Sequence, residues 1–192
     1  MKQQTNATRG FSMVEVMISM VVMVVIMAAT IIEMEPVIQQ MHANAAADLI
    51  LGQLRTARQL SIAKRRDIQV QFIGNNEIKL TQEPIPGVAG GPVVLSDLFL
   101  SPTVFFMQFG GMPDTPDGFG NAGAVDFGGV VGGPPIMQFQ SNGTFVDANG
   151  IPMNGSVFIG VANIPTTARA ITVLGTTGRI RLYKGSGTGW LQ

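Results

Sequence analysis

The first strong pattern along the chain is an apolar run in its N-terminal region. The run extends over 22 residues, from Phe11 to Ile32, and Glu15 is its single charged residue. Because an α-helix rises 1.5 Å per residue, about 20 apolar residues match the ~30 Å hydrocarbon core of a bilayer. The run therefore predicts a transmembrane helix over residues 11–35, in which a lone carboxylate is a functional candidate.

A second helical pattern follows Pro36, where proline is expected to kink the helix or to begin a new one. Apolar or small residues then recur at helical spacing in two consecutive series. The series are Val37, Met41, Ala45 and Leu49, then Ile50, Leu54, Ala57 and Ser61. This spacing predicts an amphipathic helix over 36–66, and its basic last turn suits the negative end of the helix dipole.

Beyond Asp67 the pattern changes to the strict alternation of half-buried strands. Residues 68–72 and 77–81 predict a hairpin, and later apolar segments bring the total to about seven short strands. Between Pro84 and Pro135 the chain holds eight of its eleven prolines and twelve of its 24 glycines, which predicts a loop-rich region. We therefore predict an α+β fold, in which the long N-terminal helix packs on an antiparallel β-sheet domain over 67–192.

Charge is unevenly distributed although the formal net charge is zero. Positions 55–66 hold five basic residues and no acid. Positions 75–150 hold seven acids and a single lysine. After Asp147 there are four basic residues and no acid. Lys2 and Arg9 before the apolar run favour a cytoplasmic N-terminus. The chain contains no cysteine, so no disulfide stabilises the exported domain.

The residues alone leave two simpler interpretations of the N-terminus open. A secretory signal peptide has a basic start and an apolar region of roughly 7–15 residues, which is shorter than this run. A plain membrane anchor explains the apolar run but needs neither Glu15 nor the Gly10-Phe11 junction.

Residues 9–16, with the sequence RGFSMVEV, resemble the cleavage signal of type IV prepilins and pseudopilins. The resemblance implies that residues 1–10 are a leader, which a prepilin peptidase removes by cutting after Gly10. The same enzyme then methylates the new terminal amine on Phe11. Glu15 becomes the fifth mature residue, where the family places the glutamate that pairs with the terminal amine of the adjacent subunit during assembly.

The rest of the chain resembles the GspH/FimT branch of the pseudopilins. The matching segments are an AR-x-x-A-like helix end at 57–63, F-x-x-x-G at 139–143, an arginine-led strand at 169–173 and G-R-x-R at 178–181. Ser61 departs from the alanine that is common in the helix pattern. The expanded middle over 84–135 also departs from it, so a function of that loop cannot be transferred.

Four basic residues form a candidate nucleic-acid site near the C-terminus. Strand alternation puts Arg179 and Arg181 on one face, and Arg169 and Lys184 are candidates to extend the patch. In FimT-like members such a segment is associated with DNA binding during uptake, and phosphate contacts need little more than clustered cations. The alternative is a solvated edge strand, on which positive charge prevents aggregation between strands.

The chain carries no recognisable catalytic or metal-binding pattern. The single histidine, His42, has no nucleophile or second base at a recognisable spacing, and no metalloprotease, hydrolase or nucleotide-binding motif occurs. The aspartate-containing turns at 114–118 and 147–150 do not complete a calcium loop. We expect no enzyme activity, no cofactor and no metal centre.

The resulting functional prediction is a GspH-like minor pseudopilin of a type II secretion system. Its expected location is the bacterial inner membrane, crossed once, with a cytoplasmic N-terminus and a periplasmic C-terminal domain, and then the pseudopilus filament. The expected partners are prepilin peptidase, other pilins or pseudopilins, the inner-membrane assembly platform and membrane lipid. The alternative is a FimT-like minor pilin of a type IV pilus with a role in assembly or DNA uptake, in which case DNA is a further partner. A membrane-anchored enzyme or binding domain is a third interpretation.

Overall fold

The computed structural model describes residues 11–85 and 90–192, and the side chains of all of these except positions 29–33. The predicted leader over 1–10, including Gly10, therefore lies outside the described residues. The chain divides into two compact units, Met1–Ile38 and Gln39–Gln192.

One long helix, α1, extends over Met13–Lys64 and contains Pro36 in its interior. Pro36 therefore does not begin a new helix, in contrast to one of the two outcomes expected from the sequence. The helix ends two residues before the predicted end, because Arg65 adopts a left-handed conformation with φ of 51°. The amide of Arg66 then donates to the carbonyl of Ser61, which satisfies one of the last helical acceptors.

In the N-terminal unit, the described side chains of α1 are exposed on every side of the helix. The large apolar residues from Met13 to Met27 are 42–81% exposed. Within the residues whose side chains are described, no helix is both long and apolar enough to cross a membrane.

In the C-terminal unit, one stripe of α1 is buried. The second series predicted from the sequence is correct, because Ile50, Leu54, Ala57 and Ser61 are all fully buried. The first series does not belong to this stripe, since Met41 is 65% exposed and Ala45 is exposed as well. The buried stripe begins instead at Ala43, Ala46 and Ala47. Small alanines allow the helix to approach the sheets closely, and the exposed Met41 gives this part of α1 a second apolar side.

The described residues form twelve strands in two antiparallel sheets, which confirms the predicted α+β class. The strands are β1 (Ile68–Ile73), β2 (Glu77–Gln82), β3 (Val93–Phe99), β4 (Val104–Phe106), β5 (Val125–Phe127), β6 (Val130–Val131), β7 (Gln138–Phe139), β8 (Phe145–Val146), β9 (Gly155–Val161), β10 (Ile164–Leu174), β11 (Arg179–Gly185) and β12 (Trp190–Leu191). Sheet 1 has the order β3-β2-β1-β7-β8. Sheet 2 has the order β12-β11-β10-β9-β5-β6, and β4 pairs with β9. The sequence predicted about seven strands, and most of the difference lies in very short strands of two or three residues.

Both sheets and the buried stripe of α1 share one hydrophobic core. Sheet 1 contributes residues such as Val70 and Phe139, sheet 2 contributes residues such as Val157 and Ile171, and Leu54 of α1 packs against them. A smaller cluster of Phe158, Ala170 and Tyr183 lies on the other face of sheet 2. Sheet 2 therefore has apolar side chains on both faces, and its outer face needs a cover.

The glycine- and proline-rich region provides this cover. Pro113 accepts a hydrogen bond from the indole of Trp190 at 2.8 Å, and Met112 is only 7% exposed. Phe109 lies against Gly160 of β9 so closely that a Cβ on this glycine would be 2.4 Å from the ring. The segment 107–119, which we call the cover segment, thus packs over β9–β12 and brings Asp117 to the outer face of β11.

Candidate functional site

The N-terminal candidate residues lie at the start of α1. Phe11 is 82% exposed, and Ser12 caps the helix, because its hydroxyl accepts a hydrogen bond from the amide of Val14 at 3.3 Å. Glu15 stands three residues after Ser12, which is the spacing of a capping box. The exposed carboxylate of Glu15 lies in the first turn, where the positive end of the helix dipole favours a negative charge. It is also accessible to another chain.

The four predicted basic residues do not form one patch. Arg179 and Arg181 lie on the outer face of sheet 2 beside Tyr183, as the alternation along β11 requires. Arg169 and Lys184 are direct partners in the register of β10 and β11, so they share the opposite face. Arg179 and Lys184 are five positions apart on β11, so strand alternation alone places them on opposite faces, whereas the face of Arg169 follows only from the register of β10 and β11.

Arg169 is buried, with only 4% of its surface exposed. Its Nε donates to Oδ1 of Asn44 on α1 at 2.9 Å, and its Nη1 donates to the carbonyls of Thr166 and Ala168. Burial lowers the pKa of this guanidinium. The side chain thus joins β10 to α1 and does not contribute to a charged surface.

Arg181 is held by Asp117 of the cover segment. Oδ1 of Asp117 lies 2.9 Å from Nη1 of Arg181 and 3.6 Å from Nη2 of Arg179. Oδ2 of the same carboxylate accepts a hydrogen bond from Thr172 at 2.7 Å. Burial alone would raise the pKa of Asp117, but the hydrogen bonds from Thr172 and Tyr183 and the two arginine charges together lower it. Asp117 is therefore a charged partner that offsets much of the predicted basic patch.

A second group of cations, outside the four basic residues predicted from the sequence, lies beside Arg179. Arg55 and Arg58 of α1, together with Gln59, line a groove with the turn that connects β10 and β11. The turn contributes Thr177, Gly178 and Arg179, and the cavity volume is about 540 Å³. We call this feature the basic groove. The signal in the sequence is the acid-free basic run over 55–66, which also predicts the end of a helix.

Two glycines fix the position of Arg58 at the basic groove. Nε of Arg58 donates to the carbonyl of Gly143 at 3.3 Å, in the turn between β7 and β8. Gly178 has φ of 61°, and a Cβ there would collide with the Gly143 carbonyl and lie 2.8 Å from Nε of Arg58. Gly143 of the F-x-x-x-G segment and Gly178 of the G-R segment are thus required because α1 and two turns approach each other closely at this point.

The aspartates of the two candidate calcium turns act as local caps. Asp114 accepts hydrogen bonds from the amides of Thr115 and Gly120. Asp147 accepts hydrogen bonds from the amides of Asn149 and Ile151. Among the described residues, no group of three or more histidine, aspartate or glutamate side chains is placed to hold a metal ion.

The chain resembles known proteins at its N-terminus. Residues 5–31 match the family model of the prokaryotic N-terminal methylation motif. This match confirms the predicted resemblance to type IV prepilins in that segment. No curated protein shows significant sequence similarity to the chain.

Several solved structures resemble the chain at low sequence identity. The minor pseudopilin EpsH from the type II secretion system of Vibrio cholerae is 14% identical, with a TM-score of 0.49, and the match covers 77% of this chain and 96% of that chain. The type IV minor pilin FimU of Pseudomonas aeruginosa is 16% identical, with a TM-score of 0.47, and the match covers 83% of this chain and 96% of that chain.

Proposed function

We propose that the chain is a minor pseudopilin, similar to GspH, that is assembled into the filament of a type II secretion system. The observation that carries this proposal is the N-terminal methylation motif, with Glu15 at the fifth position after Gly10. The apolar surface of α1 that follows the motif supports it. The GspH/FimT-like segments of the C-terminal unit support the choice of branch.

Processing and membrane insertion follow from this proposal. A prepilin peptidase cuts after Gly10 and methylates the amine of Phe11, and the N-terminal unit crosses the inner membrane once with its start in the cytoplasm. A helix that is apolar on all sides is stable only when lipid or other helices surround it. The part of α1 from Met13 to Met27 is such a helix, because its exposed large residues are apolar. The C-terminal unit is then periplasmic, and the assembly platform and neighbouring subunits extract the helix into the filament.

Glu15 has the central role in assembly. A carboxylate in a bilayer is costly, so it gains from meeting a cation there. The amine of a neighbouring Phe11 is such a cation, and removal of one partner leaves the other unpaired. The capping position of Glu15 adds a second, local effect that an experiment has to separate from the intermolecular one.

The experiment replaces Glu15 in the full chain, expressed with its peptidase and sister subunits. Glu15→Ala removes charge and cap, whereas Glu15→Gln removes the charge and keeps a capping-box side chain. We expect both variants to be cleaved, as judged by the mass of the N-terminus, and both to lose crosslinks to the filament. Glu35→Ala, at another exposed glutamate of α1, serves as the control. Normal incorporation of Glu15→Gln would contradict the proposal.

The second candidate is a FimT-like minor pilin of a type IV pilus that binds DNA. Arg179 favours it, because 46% of its side chain is exposed. Fewer cations are available than the sequence suggested, since Arg181 is paired with Asp117 and Arg169 is buried. Deletion of the gene separates the candidates: loss of protein secretion supports the first, and loss of DNA uptake with normal secretion supports the second.

A further inference from the structure

The basic groove concentrates positive charge without an acidic side chain in its lining. Arg55 is exposed, and in the described part of the chain its side chain has no hydrogen bond or ion pair. Arg58 is held through Nε alone, so both of its terminal nitrogens are uncommitted among the described residues. Arg179 has only the longer of the two contacts to Asp117, at 3.6 Å. Two of the three arginines at this cavity, Arg55 and Arg58, therefore have no acidic partner among the described residues, and Arg179 shares the carboxylate of Asp117 with Arg181.

The geometry of the groove restricts which anions it can bind. A guanidinium has a planar set of donors that matches the two oxygens of a carboxylate or of a phosphate. The groove also offers the amide of Gln59 and the hydroxyl of Thr177, which can donate to the same ligand. With a volume of about 540 Å³, it has room for a few side chains of a peptide.

The surroundings of the groove favour carboxylates over a nucleic acid. A protein that binds a nucleic acid presents a continuous row of cations along the phosphate backbone. Here the row is interrupted, because Arg181 is paired with Asp117, Arg169 is buried, and Lys184 lies on the opposite face of β11. A short acidic peptide needs only the groove itself.

We propose that the basic groove of Arg55, Arg58 and Arg179 is a docking site for a short acidic segment of a partner protein. Side-chain carboxylates of that segment engage Arg55 from the helix side and Arg179 from the turn side. Arg58 is the positioning residue, because its bond to Gly143 fixes the groove between them. This inference rests on the C-terminal unit alone and does not depend on the proposed role in secretion.

The test uses the full chain in detergent micelles and three labelled probes. The probes are a short oligoglutamate peptide, an oligoglutamine peptide of the same length and a duplex DNA, each titrated over a salt series. We expect the oligoglutamate to bind, the oligoglutamine not to bind, and Arg55→Gln and Arg179→Gln each to weaken oligoglutamate binding about tenfold, the effect of losing one charge-assisted hydrogen bond. Arg65→Gln is the matched control, because it removes one exposed cation of the same basic run outside the groove.

Three results would overturn the inference. The first is no oligoglutamate binding at low salt. The second is an equal loss of affinity in Arg65→Gln, which would mean that binding follows net charge and not the groove. The third is preferential binding of the DNA with the same dependence on Arg55 and Arg179, which would assign the groove to a phosphate backbone. A failure of the filament proposal would instead be seen with Glu15→Gln, which leaves the groove unchanged.

Discussion

Asp117 and Arg181 form an ion pair, 2.9 Å between Oδ1 and Nη1, that joins the cover segment to strand β11. Only 8% of the Asp117 side chain is exposed, whereas 35% of the Arg181 side chain is exposed. Oδ2 of the same carboxylate is bonded to Thr172 on β10. The side chain of Asp117 therefore fixes the cover segment to β10 and β11. It also neutralises part of the positive charge of Arg179 and Arg181.

We predict that Asp117→Asn destabilises the chain by about 1–3 kcal/mol, the usual range for hydrogen bonds to charged groups. Asparagine has nearly the same shape, so the change reports on the charge and not on a cavity. The measurement is urea unfolding of the full chain in a mild detergent. Asp48→Asn is the matched control, because Asp48 is exposed on α1. We expect it to change the stability by no more than about 0.5 kcal/mol, and equal effects in the two variants would contradict the role given to Asp117.

The same carboxylate predicts a dependence of stability on pH. The folded-state pKa of Asp117 is lowered below the unfolded value, so the unfolded chain binds more protons in acid. The stabilisation is therefore present above the unfolded pKa of about 4 and is lost as the pH falls through the folded pKa. We expect the unfolding midpoint of the wild-type chain to fall more steeply below about pH 4 than that of Asp117→Asn. Parallel pH profiles would exclude Asp117 as the source.

Gly178 gives a prediction about the junction that positions Arg58. Gly178→Ala forces a left-handed residue to carry a Cβ and drives that atom into the Gly143 carbonyl. The left-handed conformation costs roughly 1–2 kcal/mol, and overpacking adds about 1–3 kcal/mol. We expect a loss of about 2 kcal/mol or more in unfolding free energy, together with weaker oligoglutamate binding, because Arg58 has to move.

Gly52→Ala is the control for this substitution. Gly52 lies inside α1 and is exposed, and a Cβ there meets no atom within 4 Å. Alanine is a better helix former, so we expect a gain of about 0.5–1 kcal/mol. Two glycine-to-alanine changes in one chain thus have opposite predicted signs, and a destabilisation of similar size in both would show that the junction is not the cause.

Local signals in the sequence predicted the parts of the structure that depend on neighbouring residues. The hairpin of β1 and β2 follows from alternation, and the buried positions Ile50 and Leu54 follow from helical spacing. The N-terminal motif depends on a few adjacent residues and was recognised for the same reason. The series that contains the exposed Met41 has the same spacing, because periodicity gives the interval between residues on one side of a helix but not which of two apolar sides faces the sheets.

Contacts between distant residues could not be predicted from these signals. Arg181 and Asp117 are 64 positions apart, and Arg58 and Gly143 are 85 positions apart. Nothing near Asp117 in the sequence distinguishes it from the other acids of the loop-rich region, and it acquires its role only when the cover segment folds over sheet 2. The placement of Arg169 and Arg181 on opposite faces also depends on strand pairing, because it follows from the register in which Arg181 pairs with Thr172, three positions from Arg169.

Ser156 and Thr172 provide a test of hydrogen bonding on the outer face of sheet 2. They are direct partners in the register of β9 and β10, and both are at most 1% exposed. The hydroxyl of Thr172 donates to Asp117 at 2.7 Å, whereas the hydroxyl of Ser156 has no partner among the described residues. A buried polar group without a partner costs free energy, and a paired one contributes about 1 kcal/mol.

The two hydroxyls should therefore respond oppositely to removal. Thr172→Val keeps the shape, removes the donor to Asp117, and should destabilise the chain by about 1 kcal/mol or more. Ser156→Ala removes an unpaired group and should be neutral within about 0.5 kcal/mol or stabilising. Urea unfolding of both variants side by side measures the difference. A loss above about 1 kcal/mol in Ser156→Ala would show that its hydroxyl has a partner, such as a buried water shared with the nearby carboxylate of Asp126.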